Sequence, residues 1–168
     1  MKKLWFLAVA ILAFTAMAVA QEHEHMTPLK TSPEFEQMKK LVGKWEGTAG
    51  GYPATAEFRM TGGGSALMQI LGAGSPYEMV TMFTMDGDRL VATHYCAAHN
   101  QPRMATVPSK DANSVEFKFV DGTNIAPGFM HMDNLKVMTA DADHHTEVWT
   151  STQDGKSESE TFDFHRVK

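Results

Sequence analysis

From Gly43 to the end of the chain, apolar and polar side chains alternate in short runs broken by glycine, the pattern of half-buried strands. The period predicts strands near 44–49, 54–61, 65–71, 77–85, 88–97, 103–107, 114–120, 129–139, 145–153 and 157–167. Between them stand turn signals at Gly50-Gly51, Gly62-Gly63-Gly64, Gly74-Ser75-Pro76, Asp86-Gly87, Asp121-Gly122 and Asp154-Gly155. Asp86-Gly87 and Asp154-Gly155 read as two-residue hairpin loops. Ahead of the strands the spacing is helical. Ser32 is a cap, Pro33 suits the first turn, and Phe35, Met38, Leu41 and Val42 share one face, which predicts a helix over 33–42 ended by Gly43. Short sequential connections let each strand pair with its predecessor. The expectation is therefore an all-β, about ten-stranded antiparallel up-and-down barrel with the helix over one end, in preference to a flat sandwich that would leave edges exposed.

The start of the chain follows another pattern. Lys2 and Lys3 precede an apolar run from Leu4 to Val19, and Ala18-Val19-Ala20 offers small residues for cleavage, so 1–20 is expected to be a signal peptide. Residues 21–31 are polar and aperiodic, a flexible lead-in to a domain at 32–168. The expected location is periplasmic or extracellular, with no membrane span once the signal is removed. The formal charge of −5 becomes −7 without Lys2 and Lys3, 13 basic against 20 acidic side chains. That balance argues against nucleic acid, which asks for a clustered basic surface. Cys96 is the only cysteine, so no intramolecular disulfide can form.

The first strand opens Leu41-Val42-Gly43-Lys44-Trp45-Glu46-Gly47 and the last closes Phe164-His165-Arg166-Val167. On these residues the chain resembles the calycin superfamily, the lipocalin-like and fatty-acid-binding-protein-like barrels. The resemblance implies that Trp45 packs at the closed end beneath Arg166, a cation–π contact. Together with Met-Asp-Gly-Asp-Arg-Leu-Val-Ala-Thr-His-Tyr-Cys from Met85, the same stretch is similar to exported bacterial lipocalin-like domains, which carry a fold expectation and no agreed activity.

Candidate chemistry concentrates in His94-Tyr95-Cys96-Ala97-Ala98-His99-Asn100-Gln101-Pro102-Arg103. Period two puts Leu90, Ala92, His94 and Cys96 on one face, so an imidazole and a thiol point the same way. Such a pair can activate a thiolate or ligate a soft metal. The plainer reading, a small buried thiol and a hydrogen-bonded core histidine, takes precedence because no oxyanion site accompanies them. Asn100, Gln101 and Arg103 either orient a ligand at the barrel mouth or tie down the loop backbone. The strand methionines Met68, Met79, Met82, Met85, Met104, Met130, Met132 and Met138, together with Phe58, Phe83, Phe117, Phe119, Phe162 and Phe164, are expected to wall a cavity. His144-His145 reads as a solvated hairpin tip, and Asp133, Glu147 and Glu160 as mostly outward-facing carboxylates. No paired-cysteine or His-x-Glu-x-x-His spacing occurs, which sets aside a structural zinc site. With cleavage after Ala20, His23 would stand third, a Cu(II)-binding arrangement.

The leading expectation is an exported, non-catalytic carrier of a small apolar or amphipathic molecule, without cofactor, with Trp45, His94, Cys96, Asn100, Gln101, Arg103 and Arg166 around the ligand. The alternative is a redox protein or enzyme using Cys96 and His94, with haem as a conceivable cofactor; similarity to nitrobindin-like haem barrels implies an inward histidine as axial ligand, and His94 is the nominee. A packed barrel serving as an interaction module is the third.

Overall fold

Ser32 starts the helix as its sequence directs. Its Oγ accepts from the Phe35 amide at 3.2 Å, and Pro33 occupies the first turn, where no amide hydrogen is needed. The helix α1 spans Pro33–Lys39 in the computed structural model, which describes residues 30–168. It ends three residues sooner than its apolar spacing suggests. The amides of Lys40, Leu41 and Val42 turn to carbonyls three residues back, at 3.1, 3.0 and 3.2 Å, and this tighter winding carries Leu41 under the helix before β1 begins. The expected signal peptide and all but the last residues of the lead-in lie outside the described residues, as does His23. No helix among the described residues is long and apolar enough to cross a membrane.

Ten strands follow: β1 Gly43–Ala49, β2 Tyr52–Thr61, β3 Ala66–Leu71, β4 Met79–Asp86, β5 Arg89–Tyr95, β6 Gln101–Val107, β7 Ser114–Thr123, β8 His131–Thr139, β9 His144–Gln153 and β10 Lys156–Arg166. Each is antiparallel to the one before it, and β10 returns to β1, closing the barrel. Two irregularities, at Arg103/Met104 and Met132/Asn134, adjust the register. Asp154-Gly155 forms the expected two-residue loop between Gln153 and Lys156. The other hairpin is shifted by one position: Asp86 pairs with Arg89, so its loop is Gly87-Asp88.

Closure depends on close approach. Trp45 lies opposite Arg166 and Gly47 opposite Phe164. A Cβ on Gly47 would stand 1.8 Å from the Asp163 carbonyl oxygen, so only glycine lets β10 come this near. The Val167 amide donates to Lys44 O at 2.9 Å, making Trp45 and Arg166 a non-hydrogen-bonded pair with closely spaced side chains. The Arg166 guanidinium lies 4.2 Å from the Trp45 ring centroid. Its nitrogens donate to Val42 O at 2.8 Å, Lys40 O at 2.9 Å and Ala142 O at 2.8 Å. The last strand thereby supplies hydrogen bonds and positive charge to carbonyls left open at the end of α1. Gly43, at φ +135°, leaves the room this needs, because a Cβ there would meet Arg166 Nη1 at 2.6 Å.

The helix end of the barrel is solid. Phe35, Met38, Leu41, Trp45, Phe58, Leu67, Phe83, Leu90, Phe117, Leu135 and Phe164 are at most 2% exposed and form one cluster. Phe58, Phe83, Phe117 and Phe164, expected as cavity walls, are thus core filling. Their inward direction follows from the alternation, but they pack into the buried cluster and do not line the cavity. The sequential ladder and the sealed end constitute the fold's stability test. Replacing Arg166 with Ala strands three carbonyls and bares the indole, and lowers the unfolding free energy by about 2–4 kcal/mol. Arg166→Lys recovers less than half of this, since an ammonium has no planar fork. Urea unfolding midpoints measure both; a lysine variant as stable as the parent contradicts the account.

Candidate functional site

Three neighbouring strands bring three polar side chains to one level inside the barrel. Gln69 of β3 pairs with Thr81 of β4, and Thr81 pairs with His94 of β5. Directly opposed residues share a face, and all three are 1% exposed. Across the interior, period two along β9 turns His145, Glu147 and Trp149 inward. The Glu147 carboxylate is fully buried and bridges the barrel: the Gln69 amide donates to both of its oxygens at 2.8 Å. Trp149 Nε1 donates to it at 2.8 Å, and His145 Nε2 lies 3.1 Å from Oε1. The contact of one Gln69 side-chain atom with both carboxylate oxygens sets that atom as the amide nitrogen. His145 also meets the Trp45 ring edge-on at 4.3 Å, which links this polar layer to the seal below.

Of the three residues paired across β3, β4 and β5, only His94 reaches a cavity. This space of about 510 Å³, at the end away from α1, is walled by Leu71, Met79, Met132, Trp149 and Phe162, with Ser151, Thr161 and the exposed Glu158 and Glu160 toward solvent. The Nδ1 atom of His94 lies 2.9 Å from Thr81 Oγ1, its ring lies 4.7 Å from that of Trp149, and its Nε2 has no partner. Loss of hydration lowers the His94 pKa to about 4, against the upward pull of Glu147. The imidazole is neutral at neutral pH. If Thr81 donates, Nε2 carries a hydrogen; if Thr81 accepts, Nε2 offers a lone pair.

The other residues expected around a ligand are dispersed. Trp45 and Arg166 meet as the closed-end seal and border a separate space of about 660 Å³ beside α1, with Leu41 and Asp141. Cys96 is half-buried in the β5–β6 turn, where its amide donates to Asn100 O at 3.0 Å. His94 bonds to Thr81, and among the described residues no hydrogen bond joins it to that thiol. Asn100 is buried and donates through Nδ2 to Met130 O at 2.7 Å; Gln101 Oε1 accepts from Thr123 at 2.5 Å. Arg103 forks onto Asp121 at the surface, which holds the Asp121 carboxyl below its usual range and raises the guanidinium. Cys96, Asn100, Gln101 and Arg103 are absent from the cavity wall: Asn100 ties down the backbone at Met130, while Gln101 and Arg103 pair with side chains of β7. Two readings are corrected. Glu147 faces inward because it shares its face with Trp149, not with Val148. His145 is fully buried because β9 already runs from His144, so the hairpin tip falls earlier. The Gln69–Thr81–Glu147 layer was not anticipated, although His-x-Glu-x-Trp at strand period was its visible trace.

Fold and site together define a closed ten-stranded barrel with a cavity at the end away from α1, bordered by the buried His94. No protein-family model and no curated protein matches the chain. Among solved structures it is similar to a protein of unknown function of the DUF3598 family from Nostoc punctiforme, with TM-score 0.54 and 17% identity over 77% of this chain. The chain spans about half of that protein, 49% of its length. It is also similar to Rv2717c from M. tuberculosis, with TM-score 0.53 and 16% identity, covering 83% of this chain and 100% of that one. At such identities the likeness is one of fold.

The buried imidazole makes stability depend on pH. The unfolded chain takes up this proton near pH 6.5 and the folded protein only near 4, so between these values the unfolded state binds more protons and stability falls as pH falls. From pH 7 to 4 the protein loses about 3 kcal/mol more than a His94→Gln variant does, the free energy of the pKa difference. Denaturant titrations at both pH values check this; equal losses contradict it.

Proposed function

We propose that this protein is an exported calycin-type barrel that carries a small, largely apolar molecule bearing one polar group, without transforming it. The observation that carries the reading is the unpartnered Nε2 of His94, a residue that borders a cavity walled by Leu71, Met79, Met132, Trp149 and Phe162 and rimmed by polar side chains. A buried polar atom without a partner is costly, and a ligand group that hydrogen-bonds it recovers that cost while its apolar part covers Met79, Met132 and Phe162. The volume falls in the usual range for small-molecule sites, and the two thioethers adapt to varied shapes. Glu147 contributes indirectly, by holding Trp149 and Gln69 rigid beneath the ligand. Secretion rests on the apolar segment at 4–19, and the acidic surface fits a partner that is neither nucleic acid nor an anionic membrane.

Titration with medium-chain alcohols, followed by Trp149 emission, tests the reading. Saturable quenching is expected, abolished by Met132→Trp, which fills the space, and weakened about 5–30-fold by His94→Leu, which removes the polar contact. Binding unaffected by either substitution refutes it.

The same atom supports a second reading. With Nδ1 held by Thr81, the free Nε2 of His94 has the arrangement of a metal-ligating imidazole, and haem bound there would supply redox or gas-binding chemistry. Adding hemin would then produce a visible band that His94→Ala abolishes; an identical spectrum from that variant removes haem ligation by His94.

A further inference from the structure

On the outer face, near the sealed end, β9 and β10 bring together residues that no contiguous motif announces. His144 of β9 lies directly opposite His165 of β10, and Asp163 is two positions along β10 on the same face. The Arg166 amide donates to Asp143 O at 2.9 Å, from one residue beyond His165 to one before His144. That pattern makes His144 and His165 a non-hydrogen-bonded pair, the register in which opposed side chains are closest. Their rings stack at 4.5 Å with an interplanar angle of 11°. His144 Nε2 lies 2.5 Å from Asp163 Oδ1, and one ligand atom from each of the three residues falls within 4.8 Å of the others. Glu46 of β1 stands opposite His165 on the same face.

We propose that His144, Asp163 and His165 form a binding site for a divalent transition metal ion, independent of the cavity. Two imidazole nitrogens and one carboxylate are a borderline donor set. It suits Zn²⁺, Ni²⁺ or Cu²⁺ and disfavours Mg²⁺ and Ca²⁺, which want oxygen ligands throughout. The ion takes the place of the hydrogen now shared between His144 and Asp163. The stacked rings turn about their side-chain bonds so that their in-plane lone pairs converge. Exposure permits this: the side chains of His144 and Asp163 are 32% and 50% exposed, and His165 is exposed as well. Three protein ligands leave a coordination position for water or for Glu46. Because the ligands span two strands beside the closing β10–β1 pair, a bound ion ties β9 to β10 there.

The test is isothermal titration of ZnCl₂ into the full chain carrying His23→Ala and His25→Ala, so that the lead-in histidines contribute nothing. One equivalent of Zn²⁺ is expected at pH 7.5, with affinity weakened about tenfold or more by either His144→Ala or His165→Ala. Imidazole resonances of His144 and His165, followed by NMR in the same titration, shift together while that of His94 does not. His165 is exposed and His144 half-buried on the outer face, so the variants fold and stay close to the parent's thermal midpoint without metal. Zinc uptake unchanged in both variants, or none by the parent, shows an ordinary surface His–Asp contact and overturns the site.

Discussion

The guanidinium of Arg166 lies over Trp45 and satisfies three carbonyls at once, and the closed end of the barrel is assembled around that contact. It joins the last strand to the first, and both to the end of α1. Each part constrains the others. Gly43 and Gly47 exist as glycines because this approach leaves no room for a Cβ, and the short helix ends where its carbonyls reach the arginine. A cation over an indole edge-packed on His145 then transmits the position of the seal to the polar layer above it.

That layer divides the barrel into two regimes. Below Gln69 and Glu147 the interior is aromatic and aliphatic and excludes water. Above them it opens into a cavity. A fully buried carboxylate is expensive in an apolar interior unless every lone pair is engaged, and Glu147 receives an amide, an indole and an imidazole. Its cost is offset locally, and its arrangement is rigid for the same reason. His94 and His145 each have one ring nitrogen satisfied and one without a partner, but of the two only His94 borders the cavity, which is why the binding proposal rests on it.

Much of this was readable from alternation and glycine placement. All ten strands, the cap at Ser32 and the inward face of Leu90, Ala92 and His94 follow from period two, capping and turn chemistry, whereas the pairing of Trp45 with Arg166 was implied only by the family resemblance of the first and last strands. Two things were not readable. Alternation assigns a face but not a height, so Phe83 and Phe162 looked equivalent although one is packed into the buried cluster and the other walls the cavity. Polar partnership is also invisible along the chain: Gln69 and Glu147 are 78 positions apart, and a lone glutamate between Thr146 and Val148 looks like a solvated one. The 94–103 stretch drew notice for its composition, yet Asn100, Gln101 and Arg103 are taken up by the Met130 carbonyl, Thr123 and Asp121.

The most direct measurement is ¹⁵N NMR of the His94 ring with the cavity empty and then saturated by an apolar alcohol. The account predicts that the Nε2 resonance moves on binding while Nδ1, held by Thr81, stays nearly fixed. Saturable binding that leaves both nitrogens of His94 unchanged would put the ligand elsewhere and contradict it.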